Sequence, residues 1–504
     1  MMDQQTPRRS LTAQAFWLLV AKTLGFMFAF ALPVLLTRTL SQNEYGLFKQ
    51  LFLVTTTAVA LLPLGFGMSA FYYLPRESNP ARRGQVILNI LLFNLMMGVA
   101  ACLVLIFWPS VIFYIFRDPG ISSYAPLLGI IILLWLFSSF IETVAVANQE
   151  LRLATIFIVT GQLTRTVLLL AAAITFDSVQ ALVYAALLHG VVQSAALIWY
   201  VWSRFPGFWR AFDWSLTLKQ IAYALPFGLA GLLYTIQTDL HNYFVSNRFS
   251  AATFAIYSIG VAQLPVVGIL RDSVSSVILP RISYLQEQGQ TREIIVLMAN
   301  AVRKLAVVLI PVYVFLMVTG REFLTFMFTA AYAESWPIFA INLTLLPLSL
   351  LDVDAVSRAY ESHRFFLVRL QIVMSIVNVF ALWFFIGRFG LIGAIGVVVG
   401  ITIVGRVAMA VRFSRVLGAQ PRDLKLFKDV GKVALASVLA GVLCFAVRRL
   451  MVAGYSSPLV ILAGCCIVFA SVYVGCILVF KVATFDEREK VRRGVERLQQ
   501  FVYG

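Results

Sequence analysis

Apolar runs of about 20 residues, the length needed to cross the ~30 Å hydrocarbon core of a bilayer as a helix, recur along nearly the whole chain. Short polar stretches rich in Arg, Lys, Pro and Gly separate them. The pattern predicts spans near 12–36, 50–74, 84–108, 124–147, 152–175, 179–203, 220–244, 252–278, 295–319, 336–357, 366–387, 391–411, 432–450 and 457–480. That is an all-α polytopic membrane protein with about fourteen transmembrane helices. The longest polar stretches, about 204–219, 285–294, 412–431 and the tail from Lys481, are too short for a soluble domain. Trp209–Lys219 and Glu487–Phe501 have the composition of interfacial amphipathic helices or of solvated span ends.

Composition agrees with this pattern. Of 504 residues, 61% are hydrophobic and 12% charged, against about 25% charged in soluble domains. Soluble globular and disordered classes are excluded. Arg8 and Arg9 ahead of an apolar run resemble the start of a secretory signal, but the run from Leu11 to Leu36 exceeds the ~15-residue limit of such segments. It is therefore read as an uncleaved first span.

The net charge of +17 changes the picture through its location. With the N-terminus inside, most Lys and Arg fall in alternate loops on the cytoplasmic side, and the bias persists to the C-terminus. Both termini are thus predicted to be cytoplasmic, in an inner membrane. The basic excess is read as topology and membrane-surface charge rather than as a nucleic-acid interface.

Four basic residues are left inside spans: Lys22, Arg165, Arg271 and Arg406. A charge at a helix centre costs about 3 kcal/mol on insertion scales, so it normally faces a cavity or a partner. The four are candidates for a cationic cavity that holds an anionic group; interhelical pairing or snorkelling is the alternative. Asp239, His241 and Asp272 are candidates for coupling to a proton or sodium ion, against a helix-end role. Glu142 sits in the inner part of its span, and Asp354 and Arg358 have the i,i+4 spacing of a helix-surface pair.

Enzyme chemistry has little material. No phosphate-binding glycine loop, His-Glu-x-x-His motif or CxxC pair is present, and the only histidines are His189, His241 and His363. No metal or cofactor is expected. Cys102, Cys444, Cys465, Cys466 and Cys476 all lie in apolar runs and read as small core residues. Prolines 33, 63, 226, 265, 311 and 347 within spans mark bends or hinges.

A repeat at an offset near 209 sets Ser41, Tyr45, Gly46, Leu47 and Phe48 opposite Ser250, Phe254, Ala255, Ile256 and Tyr257. Six spans separate the copies, so the repeat is parallel. It predicts an N-lobe over 1–215 (spans 1–6), a C-lobe over 216–425 (spans 7–12), two extra helices over 426–480 and an amphipathic tail over 481–504.

Three stretches resemble the polysaccharide (Wzx-type, lipid-linked oligosaccharide) flippases of the multidrug/oligosaccharidyl-lipid/polysaccharide exporter superfamily. They are Thr37-Arg38-Thr39-Leu40-Ser41-Gln42-Asn43-Glu44-Tyr45-Gly46-Leu47-Phe48, then Ala224-Leu225-Pro226-Phe227-Gly228 through Asp239 and Tyr257-Ser258 to Leu279-Pro280-Arg281, and Gly390-Leu391-Ile392-Gly393-Ala394. The resemblance implies two six-helix lobes around a central cavity. It implies flipping of an undecaprenyl-pyrophosphate-linked oligosaccharide from the inner to the outer leaflet, by alternating access. Candidate partners are that polyprenyl-linked glycan, the lipid bilayer, and glycosyltransferases or a polymerase of the same pathway. A peptidoglycan-precursor (lipid II) flippase ranks second and a cation-coupled multidrug exporter third. A membrane-embedded polymerase or ligase would need a large outer loop, which the sequence lacks.

Overall fold

The computed structural model describes residues 11–210, 212–351, 354–360, 364–454 and 457–482. The tail expected beyond Val482 and residues 1–10 lie outside them, as do the side chains of Lys22, Asp354, Arg358 and His363. The protein is an all-helical, multi-pass membrane protein.

The main helices are α1 (Leu11–Thr39), α2 (Gln42–Leu61), α3 (Pro80–Phe107), α4 (Ala125–Ser138), α5 (Phe140–Ala147), α6 (Leu151–Phe176) and α7 (Val179–Arg204). They continue with α8 (Trp214–Arg248), α9 (Ala251–Gly260), α10 (Pro265–Glu287), α11 (Thr291–Phe328), α12 (Trp336–Leu343), α13 (Arg364–Val416), α14 (Lys428–Gly454) and α15 (Pro458–Val479). Local chemistry fixes several starts. Ser41 caps α2 in a reciprocal box with Glu44, Asn79 caps α3 and Asp213 caps α8. Proline opens α3, α10 and α15, where its missing N–H is not needed.

Among the described residues, ten helices are long and apolar enough to cross a bilayer. The count is eleven if the pair Gln42–Leu61 and Phe66–Arg76, bent by 43°, forms one span. The fourteen predicted spans and this count differ at three places. The first predicted span falls on α1, whose described side chains form the apolar stretch Thr23–Thr39. The predicted span 252–278 is divided into α9 and α10, because Pro265 starts a new helix. The two predicted spans 366–387 and 391–411 are joined as α13, which is broken at Gly390 (φ 58°, ψ −135°). A straight helix of 53 residues would run about 80 Å. Instead the chain reverses: a Cβ on Gly393 would stand 2.2 Å from the carbonyl oxygen of Phe385, eight residues earlier.

The helices form two compact units, Met1–Ile259 with Val368–Val397, and Gly260–Leu367 with Val398–Gly504. In the first, Phe66, Ile87, Val144, Leu197 and Tyr200 centre a dry core. Glycine lets backbones touch there. A Cβ on Gly46 would stand 1.8 Å from the Ala251 carbonyl oxygen, and one on Gly228 would stand 2.1 Å from that of Leu64. In the second, Ile282, Leu285, Ile294 and Phe413 form one cluster, and Ala440, Cys444, Cys465 and Phe469 another. Cys102, Cys444 and Cys465 are buried as expected of core residues, whereas Cys466 is exposed.

Candidate functional site

The most concentrated charge chemistry in the first unit surrounds Arg165, midway along α6. A cavity of about 230 Å³ opens beside it, walled by the α4–α5 junction, α6 and α7. Trp135 forms its aromatic wall. The indole Nε1–H donates to the Ala186 carbonyl at 3.0 Å, which locks the ring against α7. The Arg165 guanidinium carbon lies 4.8 Å from the Trp135 ring centroid and 5.7 Å from that of Phe52. Two ring faces thus hold the charge by cation–π attraction.

The Arg165 Nε–H is buried and has no hydrogen-bond partner. No carboxylate forms an ion pair with this arginine among the described residues. Glu142 lines the same cavity, with Gln162, Gln193 and His189. His189 meets Trp135 edge-on, with ring centroids 5.5 Å apart at 84°. Gly161, one turn before Arg165, leaves room for the Gln193 amide, which lies 3.0 Å from where a Cβ would be. The site therefore combines a held guanidinium, planar amides and a carboxylate. Such a set binds oxyanions and sugar hydroxyls.

Lys49 on α2 and His189 both lie within electrostatic reach of Arg165. Sequence reading misses this. It gives Lys49 and His189 no role and marks Glu142 only as a charge in the inner part of its span. Only the packing of α2, α5 and α7 against α6 brings them together.

The other predicted residues are spread out. Lys22 lies on α1, where a Cβ on Gly25 would stand 3.5 Å from the Gln162 side chain. The helix that carries Lys22 thus packs one turn from Arg165. Asp239, on α8, stands beside Thr57 and Tyr243. His241 faces elsewhere, since residues two apart on a helix do not face each other. It is buried, and its Nδ1 is 2.8 Å from the Tyr257 hydroxyl. Asp239 and His241 are therefore not partners. Two residues before Asp239, Gln237 donates to the Gln371 carbonyl at 2.9 Å and to Ser375 at 3.1 Å, tying α8 to α13.

In the second unit, Arg271 and Asp272 are neighbours on α10, with Nε 3.9 Å from Oδ1; Asp272 is exposed and Arg271 half-buried. Arg406 on α13 donates to the Leu348 carbonyl at 2.8 Å, a helix-to-helix tie. Among the described residues, no group of three His, Cys, Asp or Glu could hold a metal ion.

The family model described as "Polysaccharide biosynthesis protein" matches residues 35–337, more than half of the chain. The chain belongs to this family. The family is one of polysaccharide biosynthesis proteins. No curated protein matches this chain by sequence. Among solved structures, the chain is similar to the lipid II flippase MurJ in an inward closed conformation. The TM-score is 0.72 at 14% identity, over 93% of this chain and 98% of that one. It is also similar to a multidrug resistance MATE family transporter in its inward-facing conformation, with TM-score 0.58 and 16% identity over 78% and 95% of the chains. A third is a MOP superfamily transporter from Pyrococcus furiosus, with TM-score 0.54 and 16% identity over 81% and 95%. At these identities the likeness concerns the fold.

Proposed function

We propose that this transporter flips an undecaprenyl-pyrophosphate-linked oligosaccharide from the inner to the outer leaflet of the cytoplasmic membrane, for surface polysaccharide synthesis. The observation that carries the reading is Arg165, a guanidinium within a span that is held by aromatic faces rather than paired to an acid. A free donor fork of that kind suits a pyrophosphate. The glutamines and Glu142 around it suit sugar hydroxyls, which cost several kcal/mol each when buried unpaired.

In this reading the chain has fourteen spans and two cytoplasmic termini. Lobes over 1–215 and 216–425 rock to alternate access, and 426–480 adds two helices. Lys22, Arg271 and Arg406 add positive charge along the route. Asp239 and Asp272 are the candidates for proton or sodium coupling; His241, already held by Tyr257, ranks behind them. Glycosyltransferases or a polymerase of the pathway supply and consume the cargo.

The test is complementation of a strain that lacks its own oligosaccharide flippase. Wild-type protein restores surface polymer. Arg165→Gln, present in the membrane at the same level, does not. Restoration of surface polymer by Arg165→Gln at the wild-type rate overturns the role of Arg165. A second reading, a lipid II flippase, is favoured by the similarity to MurJ over nearly the whole chain. Rescue of a strain depleted of its lipid II flippase would select it.

A further inference from the structure

A second and larger cavity, of about 1160 Å³, lies wholly within the first unit, away from Arg165. Its lining comes from α2, from the segment Tyr114–Asp118, from the last turns of α8 and from Trp383–Gly387 of α13. The Asn247 amide closes one wall by donating to the carbonyls of Ile115 at 2.8 Å and Tyr114 at 3.3 Å.

Three features point to a ligand. The Gln50 side chain lines the cavity with 1% of its surface exposed, and its Oε1 has no partner. A buried carbonyl oxygen without a donor normally costs about 1–3 kcal/mol, so a ligand hydroxyl would relieve it. Trp383 and Tyr114 line the cavity while 63% and 67% exposed, which offers aromatic faces. Arg117 and Arg248 line it as well, and among the described residues neither forms an ion pair. Asp118 brings a single carboxylate, already accepting from the Gly120 N–H at 2.9 Å.

Aromatic faces, planar amide and guanidinium donors and an unpartnered acceptor are the groups that hold a sugar ring, whose C–H face is apolar and whose hydroxyls both donate and accept. Small-molecule sites run to about 1,000 Å³, so this volume suits several linked rings rather than one. Two guanidiniums against one carboxylate select an acidic ring.

We propose that this cavity is a glycan-binding subsite that takes several sugar rings, with a carboxylate-bearing sugar set against Arg117 and Arg248. The inference rests on the flippase reading and adds to it: a second contact for the cargo's sugars, apart from the contact for its pyrophosphate. In the proposed topology Arg117 and Arg248 face the outer side, so this subsite receives the glycan after crossing.

The test uses the purified full-length protein in lipid nanodiscs. An oligogalacturonate and a neutral malto-oligosaccharide are the probes, read by saturation-transfer NMR and by tryptophan fluorescence. The oligogalacturonate should bind, and the neutral probe about tenfold more weakly, the worth of one charge-assisted contact. Arg248→Gln should abolish that preference, and Trp383→Ala should weaken both probes, with melting temperatures unchanged. Trp383→Phe should restore binding if a ring face is what matters. Absence of binding by a wild-type protein that restores surface polymer overturns the subsite and leaves the flippase reading standing. Binding that neither Arg248→Gln nor Trp383→Ala alters also overturns it. Binding with the expected variant pattern, by a protein that restores no polymer, supports the subsite and overturns the flippase reading.

Discussion

The Arg165 guanidinium sits 4.8 Å above the ring of Trp135, and that ring is fixed in turn by its bond to the Ala186 carbonyl. A desolvated cation–π contact is worth about 2 kcal/mol. It keeps the charge in place without neutralising it, as an acid would. Trp135→Ala should therefore slow surface-polymer export about tenfold at equal protein level, a loss of ~1.4 kcal/mol. Trp135→Phe keeps a ring face and should retain most of the rate. Equal rates for Trp135→Ala and wild type would show that the indole does no more than pack.

Much of the fold is legible in the sequence because membrane helices must satisfy their own backbone and announce themselves by length. The stretches that carry the family resemblance are legible for another reason. Ser41 and Glu44 cap α2, Tyr45 is fully buried, and Gly46 touches the backbone at Ala251. Gly390 turns the chain, and Ala394 is buried just after it. These motifs record where the backbone has no choice, so they identify the fold and are silent about the cargo. Arg165 is legible as a charge that its span cannot hide. Its neighbours Lys49, Trp135, Glu142 and His189 come from four other helices, and no spacing along the chain relates them. Hydropathy sees the two runs beside Gly390, and the chain does reverse between them. The pairing of His241 with Tyr257 is invisible, because the two lie on successive helices.

Gly228 allows the turn at Leu64 and Gly65 to press against α8. A Cβ there would stand 2.1 Å from a carbonyl oxygen, and backbone cannot swing aside as a side-chain tip can. Gly228→Ala should destabilise the protein by about 1–3 kcal/mol, as other overpacked sites do. Gly231, one turn on, has nothing within 4 Å of its Cβ position. Gly231→Ala should be neutral or raise stability by up to ~1 kcal/mol through helix propensity. Thermal unfolding in detergent compares the two. A Gly228→Ala protein as stable as wild type would mean that the contact gives way without cost.

Glu322 on α11 and Arg448 on α14 form a two-pronged ion pair, at 2.7 and 3.0 Å, with the carboxylate side chain only 10% exposed. Removing one partner of a buried pair leaves an uncompensated charge and costs about 3–5 kcal/mol; part of that is regained here because the arginine is 23% exposed. Glu322→Ala should lower the melting temperature clearly, and Glu322→Ala with Arg448→Leu should recover much of the loss. A double variant no better than the single would mean that the pair does not couple the helices. Export should change only in proportion to the amount of folded protein, since neither residue borders the Arg165 cavity.

The break at Gly390 permits a sharper test of topology. Its φ of 58° with ψ −135° belongs to a region that glycine alone enters cheaply, and other residues pay about 1–3 kcal/mol. Three residues on, Gly393 packs against the carbonyl of Phe385, from the helix before the break. Gly390→Ala and Gly393→Ala should each reduce the folded protein recovered from membranes, and the double variant should reduce it further. Gly396 and Gly400 have open space at the Cβ position, so alanine there should leave recovery unchanged. The reversal also fixes which residues share a side of the membrane. Single cysteines placed at Asn378 and Thr402, twelve residues to either side of the break, should sit at similar depth and resist a membrane-impermeant thiol reagent added to either face. A cysteine at Arg388, next to the turn, should react from one face only. Reaction at Asn378 and Thr402 from opposite faces would mean that the chain passes straight through at Gly390, and the reversal would have to be abandoned.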